Sequence, residues 1–161
     1  MSGTCAPVSV DYINPFLNAA VNVFRTMAAC ELKRGKPYLA DGTHPTHEIS
    51  GVIGLSGKAI GTVVLSLGEP VALKVTEAML GEAPTEMNGD VVDTIGELTN
   101  MIAGSAKAQL EHLAMSLSLP SVIMGRNHRV AFPGDIQPIA IPFESAWGPV
   151  CVEVGLREQT P

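Results

Sequence analysis

The sequence predicts an α/β (α+β) fold in which an antiparallel sheet of hairpins packs against long helices. Apolar residues recur at helical spacing in two long segments, residues 11–32 and 90–118. Each segment precedes a pair of apolar runs joined by a short turn, which is typical of a β-hairpin. Hairpins favour antiparallel pairing with helices on a face of the sheet. Because a helix and a hairpin follow each other twice, the pattern also suggests a pseudo-twofold internal repeat.

The first predicted helix runs from residue 11 to about residue 32, and Pro15 suits its first turn. Its apolar positions repeat at helical spacing: Phe16, Ala20, Val23, Phe24 and Met27. Residues 34–45 contain two glycines and two prolines, so we predict a loop there.

The middle of the chain predicts a hairpin and then a shorter helix. Strands at residues 48–55 and 60–67 would be joined by the turn Ser-Gly-Lys-Ala at residues 56–59. Glu69 and Pro70 then open a helix that ends near Gly81, since proline fits the first turn of a helix.

The second long helix is predicted to begin at Asn88 or Asp90, either of which can cap it, and to run to Ser118, before Pro120. Residues 121–125 and 128–132 read as short strands. The final hairpin pairs residues 136–144 with residues 150–156 and turns at residues 145–148.

One side of this second long helix is polar, and we call it the polar stripe. At roughly 100° per residue, six positions lie within about 40° of a common line: Asp93, Glu97, Asn100, Gly104, Lys107 and Glu111. The far side is apolar and is predicted to be core: Val92, Ile95, Leu98, Ile102, Ala106, Leu110, Leu113 and Leu117. The helix is therefore expected to pack on one side and to face solvent on the other.

Two residues of the polar stripe are unusual for a solvated helix face. Asn100 is a poor helix former in mid-helix, and Gly104 costs about 1 kcal/mol relative to alanine. Gly96 and Ala103 flank the stripe, so the low bulk predicts that another surface can approach closely. From periodicity alone, an ordinary wet face with a helix-packing glycine remains the simpler explanation.

The length and composition of the sequence limit the classes of protein to which the chain can belong. The 161 residues are enough for one domain with a single core, spanning residues 1–161. The net charge of −6, without any run of Lys or Arg, argues against nucleic acid as a partner. No stretch reaches the roughly 20 apolar residues that span a bilayer, and no secretory signal is evident. Three widely spaced cysteines indicate reduced thiols in a cytoplasmic protein.

Other chemistry-bearing patterns are weak. His44 and His47 form an H-x-x-H pattern in a loop, but no second ligand group stands out, so we predict no metal site. The chain contains no G-x-S-x-G, Walker-type or G-x-G-x-x-G motif.

The polar stripe carries the motif of a known family: Asp93-x3-Glu97-x2-Asn100, then Gly104 and, at a distance, Pro120. On these residues the chain resembles the CheC, CheX and FliY phosphatases of bacterial chemotaxis, and the resemblance implies a CheC-like fold. Residues 11–16 and the hairpin at residues 51–67 also resemble that family, so the likeness covers most of the chain.

The sequence departs from the CheC-type pattern in two ways, and the first of them points to a CheX-type member. CheC-type members carry a second copy of the motif on the first helix, whereas here no glutamate stands three residues before Asn18 or Asn22. The gap from Asn100 to Pro120 is also shorter than in the CheC type, which leaves Pro120 as a helix terminator.

The resemblance implies a phosphatase that hydrolyses the aspartyl-phosphate of a CheY-like receiver domain in chemotaxis or related two-component signalling. Glu97 would bind the active-site lysine of the receiver, and Asn100 would orient the attacking water. The receiver would supply Mg²⁺, so the chain would need no cofactor of its own. A homodimer is also implied.

Asp93, Gly104 and Lys107 are expected to take part in docking the receiver, although a pair of solvated charges explains Asp93 and Lys107 equally well. Two alternatives stay open. The domain could be a non-catalytic CheX-like module that binds a receiver or belongs to the flagellar switch. It could also be an oligomerisation domain, with the polar stripe as its dimer seam.

Overall fold

A computed structural model describes residues 10–40, 47–126, 128–132 and 136–159. Within these ranges the α-helices are α1 (Val10–Ala28), α2 (Glu69–Leu80) and α3 (Gly89–Ala108). A 3₁₀ turn at Glu111–Leu113 follows α3. None of the helices in the described part of the chain is long and apolar enough to cross a membrane.

Eight described strands form one sheet: β1 (Lys33–Arg34), β2 (Tyr38–Leu39), β3 (Ile49–Ser56), β4 (Ala59–Leu67), β5 (Ser116–Leu117), β6 (Ser121–Met124), β7 (Ile139–Ser145) and β8 (Gly148–Glu158). The strand order is β1-β7-β8-β4-β3-β5, with β2 also on β7 and β6 also on β3. All pairings are antiparallel, which confirms the predicted sheet of hairpins.

The two predicted hairpins form the centre of the sheet. β3 pairs with β4 and β7 pairs with β8, and the second strands of the two hairpins pair with each other from Ala59↔Glu158 to Leu67↔Val150. In the order β7-β8-β4-β3, the second strands of the two hairpins, β4 and β8, lie side by side. The first strands, β3 and β7, flank them in equivalent positions. This arrangement agrees with the pseudo-twofold repeat that the sequence suggests.

All three helices share one core with a single face of the sheet. The two phenylalanines of α1, Phe16 and Phe24, are fully buried, and so are Ile95 and Ile102 of α3. They belong to the same apolar cluster as alternate residues of the central strands, such as Ile53 of β3. Burial of this one face follows from the period-two apolar pattern of the strands.

A glycine lets α3 lie very close to β3. A Cβ atom added at Gly51 would lie 2.0 Å from the Thr99 Oγ1 and 2.9 Å from the Thr99 Cβ. Thr99 is fully buried, and its hydroxyl donates a 2.7 Å hydrogen bond to the Ile95 carbonyl. The contact fixes the helix against the sheet at the residue before Asn100.

The bounds predicted for the first helix and the loop after it need correction. The prediction extended α1 to Leu32, but α1 ends at Ala28. Ala29 has φ 50°, and its amide and that of Cys30 donate to the carbonyls of Arg25 and Phe24. The predicted loop at 34–45 contains β2 and the end of β1, which pair with β7 through backbone bonds that its polar sequence does not reveal.

The second half of the chain also departs from prediction. α3 ends at Ala108 and not at Ser118, because the chain turns through the 3₁₀ segment and enters β5. Residues 128–132, predicted as a strand, have no regular structure. The bounds of the two hairpins and of α2 are confirmed to within three residues at every end.

Candidate functional site

The polar stripe lies on the solvent side of α3, as predicted. Asp93, Glu97 and Asn100 are exposed, while Gly104 and Lys107 are half-buried. The sixth predicted position, Glu111, is exposed but lies in the 3₁₀ turn after α3, so it does not continue the stripe. The predicted core side of the helix is confirmed by the full burial of its central residues: Ile95, Leu98, Ile102 and Ala106.

Glu97 and Asn100 have no hydrogen bond or ion pair with any described residue. Three residues apart on a helix, their Cβ atoms stand about 5–6 Å from each other. A carboxylate and an amide at this spacing offer acceptors from both groups, and the amide also offers two donors. The side chains are therefore available to a partner.

The helix that carries these two groups is fixed at its start and along its back. The Asn88 side chain accepts hydrogen bonds of 3.0 Å and 3.2 Å from the amides of Asp90 and Val91, which confirms Asn88 as the cap. Such a cap stabilises a helix by about 1 kcal/mol. Together with the close contact at Thr99, it gives the polar stripe a rigid support.

The charge pattern on the stripe is not the one that would stabilise the helix best. Asp93 and Glu97 are four residues apart, and both are exposed. Like charges at this spacing destabilise a helix by roughly 0.2–0.5 kcal/mol. The acidic pair therefore does not stabilise α3.

The surroundings of the stripe differ on its two flanks. Gly96 is buried, and a Cβ there would lie 3.7 Å from Pro120 and 3.6 Å from Val122. Ala103 is fully buried as well. The prediction that Gly96 and Ala103 leave the surface shallow is thus wrong, since they are packing positions. Pro120 terminates no helix but packs beside Gly96, next to Glu97.

Gly104 is the position that does open the surface. A Cβ added at Gly104 would meet nothing within 4 Å. Beyond it lies a pocket of about 350 Å³, whose wall includes Lys107, Leu110 and Met115. Sequence reasoning missed this pocket, because it placed these residues on a helix that continued to Ser118.

Within the described ranges, the hydrogen-bonded cluster around His128 does not form a second reaction site. In the neutral ring, the His128 Nδ1 donates to the Gly125 carbonyl (2.7 Å), and the Nε2 then accepts from the Ser50 hydroxyl (2.7 Å). Ser50 in turn meets the Ser66 hydroxyl at 2.6 Å. Because Ser50 is fully buried, this chain of bonds ties Gly125 and His128 to the sheet and cannot reach a substrate.

Burial shifts the pKa values of three groups that lie outside the polar stripe. Burial raises the pKa of the Cys151 thiol to about 12 and raises the pKa of Glu153. Burial also lowers the pKa of His47. His44 lies outside the described residues, and no group of three His, Cys, Asp or Glu side chains that could hold a metal occurs among the described ones.

The first helix carries no counterpart of the site. Asn18 and Asn22 are exposed on α1, but the residues three positions earlier, Pro15 and Ala19, are both buried. The structure therefore agrees with a single site per chain, on α3.

Comparison with known proteins gives one family. The model of the family described as the chemotaxis phosphatase CheX matches residues 49–144, more than half of the chain and including the whole of α3. The CheY-P phosphatase CheX of Thermotoga maritima is 30% identical over 132 residues, which cover 80% of this chain and 85% of that protein.

Solved structures agree with this match. A CheC-like superfamily protein from Shewanella sp. PV-4 is 38% identical with a TM-score of 0.87, covering 93% of this chain and 99% of its own. A CheX–CheY–BeF₃–Mg²⁺ complex from Borrelia burgdorferi contains a chain that is 27% identical with a TM-score of 0.80, covering 93% of this chain and 100% of its own.

Proposed function

The chain belongs to the CheX family of chemotaxis phosphatases, and from this premise we propose that it hydrolyses the aspartyl-phosphate of a CheY-like receiver domain. The observation that carries the proposal is the pair of exposed, unpartnered side chains Glu97 and Asn100 on the rigid helix α3. A relative named CheY-P phosphatase and another in complex with CheY support the choice of substrate.

We assign different roles to the two side chains. Glu97 binds the lysine ammonium of the receiver's active site and so sets the register of α3 against the receiver. Asn100, about one turn further along the helix, then reaches the phosphoryl group. Its amide oxygen accepts a hydrogen bond from the attacking water. The acidic pair formed by Asp93 and Glu97 supports this assignment, because it favours a cation at that end of the stripe.

The reaction needs positioning more than it needs proton transfer. The oxygen of water forms a bond to phosphorus while the bond from phosphorus to the aspartate carboxylate breaks, and the water's protons remain on the phosphate product. The leaving carboxylate has an ordinary pKa of about 3.9, so it requires no general acid. Catalysis of such a loose transition state comes from orientation and electrostatics. An uncharged amide fits this task.

The metal that this chemistry uses is expected to come with the receiver. Mg²⁺ neutralises charge on the phosphoryl oxygens when it is bound. The exposed oxygen ligands that α3 contributes to the polar stripe are two carboxylates, Asp93 and Glu97, and the amide of Asn100, which is a small ligand set for a metal site of the chain's own. We therefore propose that this chain contributes only the side chains of Glu97 and Asn100 to the reaction centre, and no metal ion.

The docking surface is proposed to extend along α3 on both sides of this pair. Asp93 lies one turn before Glu97, and Gly104 and Lys107 lie one and two turns after Asn100. The absence of a side chain at Gly104 lets the receiver approach the helix backbone. Lys107, half-buried at the end of α3, offers the one cation of the stripe to an acidic group of the receiver.

The decisive experiment is the decay of a phosphorylated CheY-like receiver from the same genome, with and without the protein. Asn100→Ala is expected to slow kcat by about 10²–10³, equivalent to about 2–4 kcal/mol, while binding is kept. Asn22→Ala removes the same side chain from an exposed position of α1 and serves as the matched control. Unchanged turnover in Asn100→Ala would exclude the role of this amide.

Glu97→Ala tests the docking role separately. Loss of an interfacial ion pair is expected to raise the dissociation constant for the receiver by at least tenfold, with a salt dependence weaker than that of the wild type. If the wild-type protein binds the phosphorylated receiver but does not accelerate its decay, the non-catalytic receiver-binding module is the correct interpretation.

We further propose that the protein is a cytoplasmic homodimer. Three exposed apolar residues lie in or just before β6 at the outer edge of the sheet: Leu119, Ile123 and Met124. Such an edge is suited to pairing with a second copy. The described cysteines, Cys30 and Cys151, are buried free thiols, as expected in a reducing compartment. Sedimentation equilibrium would test the dimer.

A further inference from the structure

The pocket at the end of α3 is shaped by a break in the helix. Leu110, Leu113 and Met115 are each almost fully buried around the 3₁₀ turn, and two of them, Leu110 and Met115, line the pocket. The other lining residues are Gly104, Lys107, Ala108, Glu111 and Ala114. The pocket of about 350 Å³ thus combines two buried apolar side chains with one cationic and one anionic side chain that are more exposed.

We propose that this pocket receives an apolar side chain from the surface of the bound receiver domain and thereby anchors the complex. The inference rests on the proposed function, because it places the pocket within the receiver's contact area. In this proposal the pocket raises the affinity for the receiver and contributes to the choice of partner, whereas Asn100 acts in the reaction.

The position of the pocket relative to Asn100 supports this occupant. Gly104 and Lys107 lie within about 40° of Asn100 around the helix and about 6 and 10 Å further along it. A standard interface covers about 800 Å² on each partner, which is a disc of roughly 16 Å radius. A receiver centred on Glu97 and Asn100 therefore covers the opening of the pocket.

The pocket is also formed in advance of binding. The Lys58 amide donates a 2.8 Å hydrogen bond to the Leu113 carbonyl, so the β3–β4 turn holds the wall from behind. A Cβ at Gly57 would lie 2.3 Å from the Ala114 carbonyl oxygen, which shows how closely the turn is packed there. A preformed pocket costs little ordering entropy when a side chain enters it.

The composition of the pocket indicates the kind of side chain. Buried leucine and methionine favour an aliphatic or aromatic group, and methionine adapts to irregular shapes. The rim charges of Lys107 and Glu111 would exclude water around it, as polar rims do around apolar anchors at other interfaces. A charged side chain entering the pocket would have to be desolvated without a full partner.

Ala108→Leu tests the proposal, because Ala108 is exposed, lines the pocket, and lies about 80° away from Asn100. Both residues are good helix formers, so the variant is expected to fold. Filling the pocket should raise the dissociation constant for a receiver charged with beryllofluoride and Mg²⁺ about tenfold. The kcat at saturating phosphorylated receiver should not change. Ala78→Leu, the same change at an exposed position of α2, should bind like the wild type.

A second measurement follows the Met115 methyl group by NMR. Addition of the beryllofluoride-charged receiver should shift this resonance and give nuclear Overhauser contacts to an aliphatic or aromatic side chain of the receiver. Wild-type affinity in Ala108→Leu, or a Met115 methyl that does not respond to the receiver, would overturn the inference. Failure of the wild-type protein to accelerate receiver decay would instead count against the proposed function.

Discussion

Gly51→Ala is the substitution that most directly tests whether the placement of α3 controls the site. The new Cβ would lie 2.0 Å from the Thr99 Oγ1, 2.9 Å from the Thr99 Cβ and 3.3 Å from the Ile95 carbonyl oxygen. The hydroxyl could rotate away only by giving up its 2.7 Å bond to Ile95. The Thr99 Cβ cannot rotate, so α3 must move away from β3.

The cost can be worked from this geometry. Overpacking of this kind destabilises a core by about 1–3 kcal/mol. For a domain of this size each kcal/mol lowers Tm by about 2–4 °C, so a fall of about 2–12 °C is expected. Asn100 follows Thr99 directly, and a displacement of about 1 Å at a positioning group can reduce kcat about 10²-fold.

The assay combines thermal unfolding with receiver dephosphorylation, and the same strand provides a control. A Cβ at Gly54 would meet its nearest atom, the Ser118 Oγ, at 3.6 Å, an ordinary contact. Gly54→Ala should therefore keep the Tm and kcat of the wild type. In a double-mutant cycle, Thr99→Ala should recover about 1 kcal/mol of the loss caused by Gly51→Ala. A Gly51→Ala protein with wild-type Tm and kcat would refute the reasoning.

Two further predictions concern stability. Asn88→Ala removes the acceptor for two amides and should lower the free energy of unfolding by about 1 kcal/mol, measured by urea denaturation, whereas Asn88→Asp should retain most of it. Because burial raises the pKa of Cys151 from 9.0 to about 12, the unfolded chain loses the thiol proton at lower pH than the folded one. The free energy of unfolding should therefore fall as pH rises from about 9 toward 12, and it should fall less steeply in Cys151→Ala; equal slopes would contradict the assignment.

The elements that sequence predicted well are those whose signals are local. The β3–β4 hairpin has a period-two pattern on both sides of the short Gly57–Lys58 turn, and α2 has Pro70 in its first turn and is capped by Gly81 in a left-handed conformation. The polar stripe could be found because helical periodicity alone determines which residues of α3 share a face. The roles of Glu97 and Asn100 needed more than periodicity, since a solvated helix face has the same pattern.

The errors occurred where tertiary contacts end a helix without a local signal. The prediction for α1 fails at Ala29, which has φ 50°, and the 3₁₀ turn that follows the end of α3 is capped by Ala114, which has φ 45°; the sequence offers no glycine at either position. Left-handed alanine is unfavourable by roughly 1 kcal/mol. Burial of the residue that follows each, Cys30 and Met115, offsets that cost. The helix propensity of these residues therefore predicts that each helix continues, but tertiary packing ends it earlier.

The early end of α3 also creates the pocket that lies beside the polar stripe. If the helix continued to Ser118, Lys107 and Glu111 would remain on one straight face, and the space beside Gly104 would be an open groove. The 3₁₀ turn instead brings Leu110, Leu113 and Met115 under the end of the helix, where Lys58 holds the turn. A convex helix face positions Asn100 for a cleft, whereas a pocket beside it can hold a projecting side chain. A receiver bound in the proposed way would contact both the helix face and the pocket, so its orientation would be fixed about two separate points.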